Sequence, residues 1–490
     1  MMSGERISGG ASQTLTAAEA AERLRRGDVT SAGLVRECLG RIERLDSTLL
    51  ACVTVMGEAA LEQAAAADAR LQRGGREAQS ALLGIPLGIK DLIETRGVRT
   101  TGGSRVLADW VPDRDAAVVM KMAQAGAIAL CKTNTHEFAF GTVTQPTRNP
   151  WDIEHIPGGS SGGSAVAVAT GECLAALGTD TGGSIRIPAA ACGVTGLKPT
   201  YGLVSRAGIL PLSWSLDHAG PIARTVEDCA LLLDALAGYD AADPDSVEVP
   251  LLDYQAALSD GRAPEDAVRG TRIGIPDRFF FHHLDGDVET AVRAAIGRFE
   301  EMGASVHEVK IPDAIEGLFE VYRAIQKPEA YTFHRDQGWL DARAEQYAPT
   351  VLKNILSGAD YSASDYIHAQ QARRAFREAM REAMARVDVL MTPTLPVPAR
   401  RIDEVDTPLL WDGKPEPAGE ALRYTFPFDV TGQPALTVPC GFSSSGLPIG
   451  LQLVAGQFGE PTLLRLGHAY QRVTDWHRRV PPIVAEKLGA

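Results

Sequence analysis

The chain has 490 residues, room for one large domain or about three average ones, and its 45% hydrophobic and 22% charged content is that of a globular protein with a sizeable core. A net charge of −14 with no basic stripe argues against nucleic-acid binding, and no run nears the ~18 apolar residues of a membrane span. The opening MMSGERISGG lacks the apolar core of a secretory signal, and the seven scattered cysteines, with no C-x-x-C pair, read as small buried hydrophobes in a reducing cytoplasm.

The first elements read as helices. Thr16-Ala-Ala-Glu19 is a capping-box pattern that opens a helix running to Arg26. Asp28 to Ser31 caps a second, with Leu34, Val35, Cys38, Ile42 and Leu45 at helical spacing, and the alanine-rich stretch 58–72 is a third. Residues 1–80 thus form an N-terminal helical segment packed on the core. From Leu83 the rhythm becomes α/β: a short strand over 83–89 ending at Lys90-Asp91, a helix over 115–125, a strand over 127–131, a strand at Gly202-Leu-Val204 and a helix after Thr225. Residues 310–385 read as helical with scattered aromatics. Strands return at 389–391, 436–438 and 446–454, and a helix starts near Pro461. This alternation predicts a largely parallel or mixed sheet covered by helices. The weakest points are 240–265 and 397–419.

Two glycine-serine patches interrupt the alternation: PGGSSGGS at 157–164 and DTGGSIR at 180–186. Taken alone, such composition suggests a flexible linker. However, both patches are boxed in by apolar segments (165–170 and 173–177), and glycines placed between core elements mean close backbone approach. Gly158-Gly-Ser160-Ser-Gly162 formally matches a G-x-S-x-G nucleophile elbow, but proline and polar turn residues stand where that elbow needs a strand. The sequence has no H-E-x-x-H, no cysteine-histidine cluster at metal spacing, no phosphate-binding loop, and no histidine in a triad context, so neither metal nor cofactor is expected. A serine nucleophile would then need a neutral lysine as base. Lys90, after the apolar 85–89 run, is the candidate, although a surface lysine at a strand end is the more ordinary occurrence.

PGGSSGGS, GTDTGGSIRIP and the lysine of GIPLGIKD together resemble the amidase signature family, as do 193–200 (GVTGLKPT), 216–221 (LDHAGP), 224–228 (RTVED) and 446–452 (GLPIGLQ). The resemblance spans about residues 14–480 and implies a single large α/β/α domain with a central mixed β-sheet covered by helices, so 81–485 reads as an amidase signature domain whose substrate pocket draws on 310–385. It implies a catalytic set of Ser184 as nucleophile, Ser160 at a cis peptide as proton bridge, and Lys90 as base. It also implies an oxyanion hole from the backbone N–H groups of Thr181, Gly182, Gly183 and Ser184, with Ser161, Asp180 and Arg186 in support.

Phe138, Phe140, Trp214, Phe319 and Tyr322 are the pocket candidates, which points to an apolar or aryl amide. Each alone is more often a core residue. The implied activity is metal-independent hydrolysis of a small-molecule amide through an acyl-enzyme, with a urethane (carbamate) or ester as alternatives, by a cytoplasmic monomer or homodimer that needs no membrane. A further alternative is the glutamine-hydrolysing subunit of a tRNA-dependent amidotransferase. That branch of the family has an Ala-Ser-Ser-Leu-Asp-Gln run and an arginine pair for the glutamine carboxylate. Here Leu212-Ser-Trp-Ser-Leu-Asp-His218 and Val351-Leu-Lys353-Asn354-Ile355 stand in those regions.

Overall fold

The helix starts follow from local capping. Thr16 accepts from the Glu19 amide while Glu19 reaches back to the Thr16 amide, and helix Ala17–Arg26 ends on Gly27 in the left-handed region. Thr30 caps helix Ser31–Leu49, and Thr225 with Asp228 forms a second capping box on helix Val226–Leu236. The computed structural model describes residues 15–75, 80–258, 263–411, 413–415 and 421–489, so parts of the two predicted weak points lie outside the described residues.

The strands are β1 (Cys52–Val55), β2 (Pro86–Lys90), β3 (Ile128–Thr133), β4 (Ala175–Asp180), β5 (Thr195–Lys198), β6 (His218–Ala223), β7 (Arg272–Pro276), β8 (Ser305–Val309), β9 (Val389–Pro393), β10 (Leu410–Trp411), β11 (Lys414–Pro415), β12 (Ala435–Phe442) and β13 (Pro448–Val454). All but the small β10–β11 hairpin join one 11-stranded sheet in the order β1-β3-β2-β4-β6-β5-β12-β13-β9-β7-β8. The sheet is mixed. β2 runs parallel to β3 and β4, β7 runs parallel to β8 and β9, and the pairs from β4 through β6, β5, β12 and β13 to β9 are antiparallel. Every residue of β2, β4, β6 and β13 is buried, so both faces of the sheet's middle are covered by helices, whereas the edge strands β1 and β8 are largely open. This is the mixed sheet covered by helices that the alternation predicts.

The helical 310–385 region resolves into Leu318–Asp336, Trp339–Ala342, Pro349–Leu356 and Ala363–Ala383; the first and last pack over a second core with Tyr322, Phe376 and Phe426, and the middle two over a cluster with Phe138 and Tyr347. The expected strand at Gly202-Leu-Val204 is not one. Gly202 has φ +82°, Leu203 N donates to Thr200 O in a turn, and only one bridge, Val204 to Ala237, forms. A side chain at 202 would come within 2.3 Å of Asp245 O, so the glycine serves a tight turn under a crossing loop.

Candidate active site

The site starts from strand register. β2 lies between β3 and β4, with Lys90 opposite Thr133 at its C-terminal end. That places the lysine beside Thr179 of β4 and fully out of solvent. Lys90 Nζ lies 2.7 Å from Ser160 Oγ and 2.7 Å from Thr179 Oγ1. Burial pushes its pKa down to about 7, against the opposing pull of Asp180 and Asp217. Lys90 is therefore partly neutral near physiological pH.

Ser160 stands at a cis peptide with Gly159, in the turn that enters helix Gly162–Thr170. That helix is buried along its whole length and lies hard against its neighbours: a side chain at Gly163 would come within 2.4 Å of Asn134 N and 2.5 Å of Ala51 O. Ser164 pins it to the sheet through Leu177 O and Thr133.

The second glycine-serine patch meets the first through Ser161. Its amide donates to Ser184 O at 3.2 Å, its hydroxyl donates to Thr179 O at 3.2 Å, and Thr179 N donates back to it at 3.3 Å. Ser184 is 5% exposed in the turn between β4 and helix Arg186–Cys192. Gly183 has φ +139°, and a side chain there would come within 2.3 Å of Thr425 Oγ1, so only glycine fits. The loop is held from outside: Thr425 Oγ1 donates to Gly182 O at 2.6 Å and Thr181 Oγ1 donates to Asp217 at 2.7 Å. Among the described residues, no acceptor takes the amide N–H groups of Thr181, Gly182, Gly183 or Ser184, which leaves four backbone donors around Ser184.

Beneath the loop, Arg186 is fully buried and forks onto Asp180 with two bonds of 3.0 Å. It also reaches Asp429 at 2.5 Å, Gln452 at 2.8 Å and Thr425 O at 2.9 Å. Burial would raise the Asp180 carboxyl, but Arg186 overrides it and holds Asp180 well below the usual carboxylate range. Burial wins at Asp429, which is pushed well above that range. The Arg186 cation therefore bridges two buried carboxyl groups, Asp180 and Asp429.

A cavity of about 1060 Å³ opens on this loop, touching Thr179, Thr181, Asp217 and His218, with Trp214, Phe333 and Trp339 in its wall. Its rim is more polar than the sequence suggests, carrying the ion pairs Arg114–Glu94 and Arg206–Asp243. Of the five pocket candidates, Trp214 lies in this wall and is 42% exposed. Phe138 is buried in an aromatic cluster, edge-on to His334 at 4.5 Å and stacked on Trp339 at 5.6 Å; Phe140 packs half-buried next to it. Phe319 stacks on Tyr322 at 5.8 Å. Tyr322 is buried with its hydroxyl at Gly182, where an added side chain would sit 2.7 Å away.

Several site residues lie outside the sequence reading. Thr179 could have been found only from register, one residue before Asp180. His218 lines the cavity with Nδ1 near the carbonyls of Leu216 (2.7 Å) and Asp180 (3.2 Å), and Lys198 Nζ donates to its Nε2 at 3.1 Å. Burial and the neighbouring Lys198 keep His218 neutral. Thr425 and Asp429 carry no local signal, and Gln452 closes the GLPIGLQ run without anything there that ties it to Arg186.

Residues 33–464 match the model of the Amidase family. The chain is 44% identical to a glutamyl-tRNA(Gln) amidotransferase subunit from Roseiflexus sp., over 96% of this chain and 99% of that one. Among solved structures it resembles the peptide amidase of Stenotrophomonas maltophilia (TM-score 0.82, 34% identity, 96% and 98% of the two chains). It also resembles a bacterial aryl acylamidase of the amidase signature family (TM-score 0.86, 28% identity, 98% and 99% of the two chains).

Proposed function

We propose, for a chain that belongs to the amidase family, that Ser184 attacks a carboxamide carbonyl and is acylated, with Ser160 relaying the proton to Lys90. The observation that carries this reading is Lys90, fully buried, 2.7 Å from Ser160 Oγ and lowered to about 7. A neutral amine that donates to Thr179 turns its lone pair to the Ser160 hydroxyl. Lys90 takes the Ser160 proton and Ser160 takes that of Ser184 as the Ser184 O–C bond forms. The oxyanion is received by the amides of residues 181–184; fixed donors of this kind contribute about 3–4 kcal/mol each. The proton returns through Ser160 to the leaving nitrogen as the C–N bond breaks, and water then clears the acyl group by the same route.

Two substrate readings have support. The 44% identity to an amidotransferase component over nearly the full length favours glutamine, with the ammonia passed on to a partner, and puts this reading first on similarity. Against it stand the Leu212–His218 run and the commitment of Arg206 to Asp243 and Asp245. The second reading, a free-standing hydrolase of an apolar or aryl amide, rests on Trp214, Phe333 and Trp339 in the cavity wall. Amine or ammonia release from glutamine, aryl amides of short and long acyl chain, a primary carboxamide and an aryl carbamate separates the two. Turnover of glutamine alone supports the amidotransferase reading, turnover of an aryl amide supports the free hydrolase, and no turnover of any of them counts against both.

The pH profile follows from the lysine. A lysine lowered to about 7 is charged below that pH and neutral above it. Under chemistry-limited conditions kcat/KM is expected to rise roughly tenfold between about pH 6 and pH 8. A flat profile across that window would remove Lys90 as the base.

A further inference from the structure

Just past the end of helix Gly162–Thr170, whose opposite end carries Ser160 and Ser161, lies a buried carboxylate outside the machinery above. Glu172 is fully buried, and neither of its carboxylate oxygens has a hydrogen-bond partner among the described residues. Leaving such a group unmatched is costly, so an unpaired one needs an explanation. One ligand atom each of Asp46, Cys52 and Glu172 lies within 4.8 Å of the other two. The Cys131 thiol adjoins that of Cys52, brought onto the same face by the β1–β3 pairing. Asp46 keeps its orientation by accepting the Ala51 amide at 2.5 Å and the Cys52 amide at 3.2 Å.

The cation that acts on Glu172 is Arg41, whose bonds go to Thr170 O (3.0 Å) and Glu37 (3.2 Å), so it offsets charge without filling the gap.

We propose that Asp46, Cys52 and Glu172, with Cys131 beside them, bind a zinc ion. Thiolate and carboxylate ligands at about 2.0–2.3 Å from zinc leave ligand atoms roughly 3.3–3.8 Å apart, which a small contraction of this cluster reaches. Zinc takes these ligands in their deprotonated forms, so binding releases the Cys52 thiol proton to solvent, and two carboxylates and a thiolate balance the zinc and Arg41 charges. Asp46 and Cys52 are only half-buried and provide the way in. The ion would clamp helix Ser31–Leu49, β1 and β3 to the far end of the helix that presents Ser160. It takes no part in amide cleavage, so its test is independent of the reading of the active site.

The whole chain, produced in zinc-replete and in cobalt-replete cells and purified without chelators, tests this. About one equivalent of zinc is expected, and the cobalt form should show a near-ultraviolet thiolate-to-cobalt charge-transfer band. Cys52→Ser should remove that band, and Glu172→Gln should lower metal content at least about tenfold. A folded wild type with less than about a tenth of an equivalent and no cobalt–thiolate band overturns the site and leaves a proton or water on Glu172. Metal content unchanged in both variants overturns it too. If Glu172→Gln fails to fold, the band in the wild type and its loss in Cys52→Ser still decide.

Discussion

Replacing Ser184 with alanine is expected to lower kcat by about a thousandfold or more on whichever amide is turned over, with no comparable loss of stability. The size follows from the role: without the hydroxyl no acyl-enzyme forms, and the four free amides of residues 181–184 can only polarise a carbonyl that nothing attacks. Removing one small, nearly buried side chain leaves the loop's outside supports in place, namely Thr425 on Gly182 O and Asp217 on Thr181. Steady-state kinetics beside a thermal melt measure both halves. A variant that keeps more than about a tenth of the wild-type rate would place the nucleophile elsewhere.

The second large effect is one of architecture. Arg186→Met removes the guanidinium that bridges Asp180 and Asp429, both fully buried. Two carboxyl groups then face each other without that cation, and removing one partner of a buried ion pair costs about 3–5 kcal/mol. Asp180 also accepts the Ile185 amide at 3.1 Å, so the loop of residues 181–184 loses its anchor in the same step. The midpoint of denaturant unfolding should fall well below that of wild type, and activity should fall with it. Arg186→Lys keeps the charge but cannot make the two-pronged bond to Asp180, so it should recover only part of the loss. A variant Arg186→Met as stable as wild type would show the network to be dispensable.

What is legible in the sequence is what is written locally. The helix starts at Thr16, Thr30 and Thr225 carry their own caps, and the alternation of apolar runs with helical spacing foretells a mixed sheet under helices. The glycine-serine patches stand out because apolar segments box them in, whereas Lys90 is read as a base only with the family resemblance, since a lysine at a strand end is more often on the surface. The turn at Gly202 reads wrongly as a strand because three residues of apolar character look like one until the crossing loop at Asp245 is known. Asp429 carries no such mark, and the runs that hold Thr179 and Gln452 give these two residues no role, since each of the three reaches Lys90 or Arg186 only through strand pairing or a return of the chain more than two hundred residues later. The aromatics divide according to packing. Phe138 and Trp214 look alike as letters, yet one fills a ring cluster and the other faces the cavity. The cluster at Asp46, Cys52 and Glu172 has no spacing that a motif could carry.

The sheet order sets a timetable for biosynthesis. β12 and β13 sit between β5 and β9, in the middle of the sheet although they are its last strands to be made. When the ribosome has finished the stretch that holds Lys90, Ser160 and Ser184, only β1 to β4 have been made and Arg186 still lacks Asp429 and Gln452; even once β9 is made, the two halves of the sheet have no strand to join them. Domains assemble from the N-terminal side during synthesis. The nascent chain therefore carries its reactive groups for some 250 residues, as an estimate from those positions, before the brace that shapes their loop exists. The centre of the sheet and the brace under the glycine loop are thus completed together, by the stretch around residues 429–454.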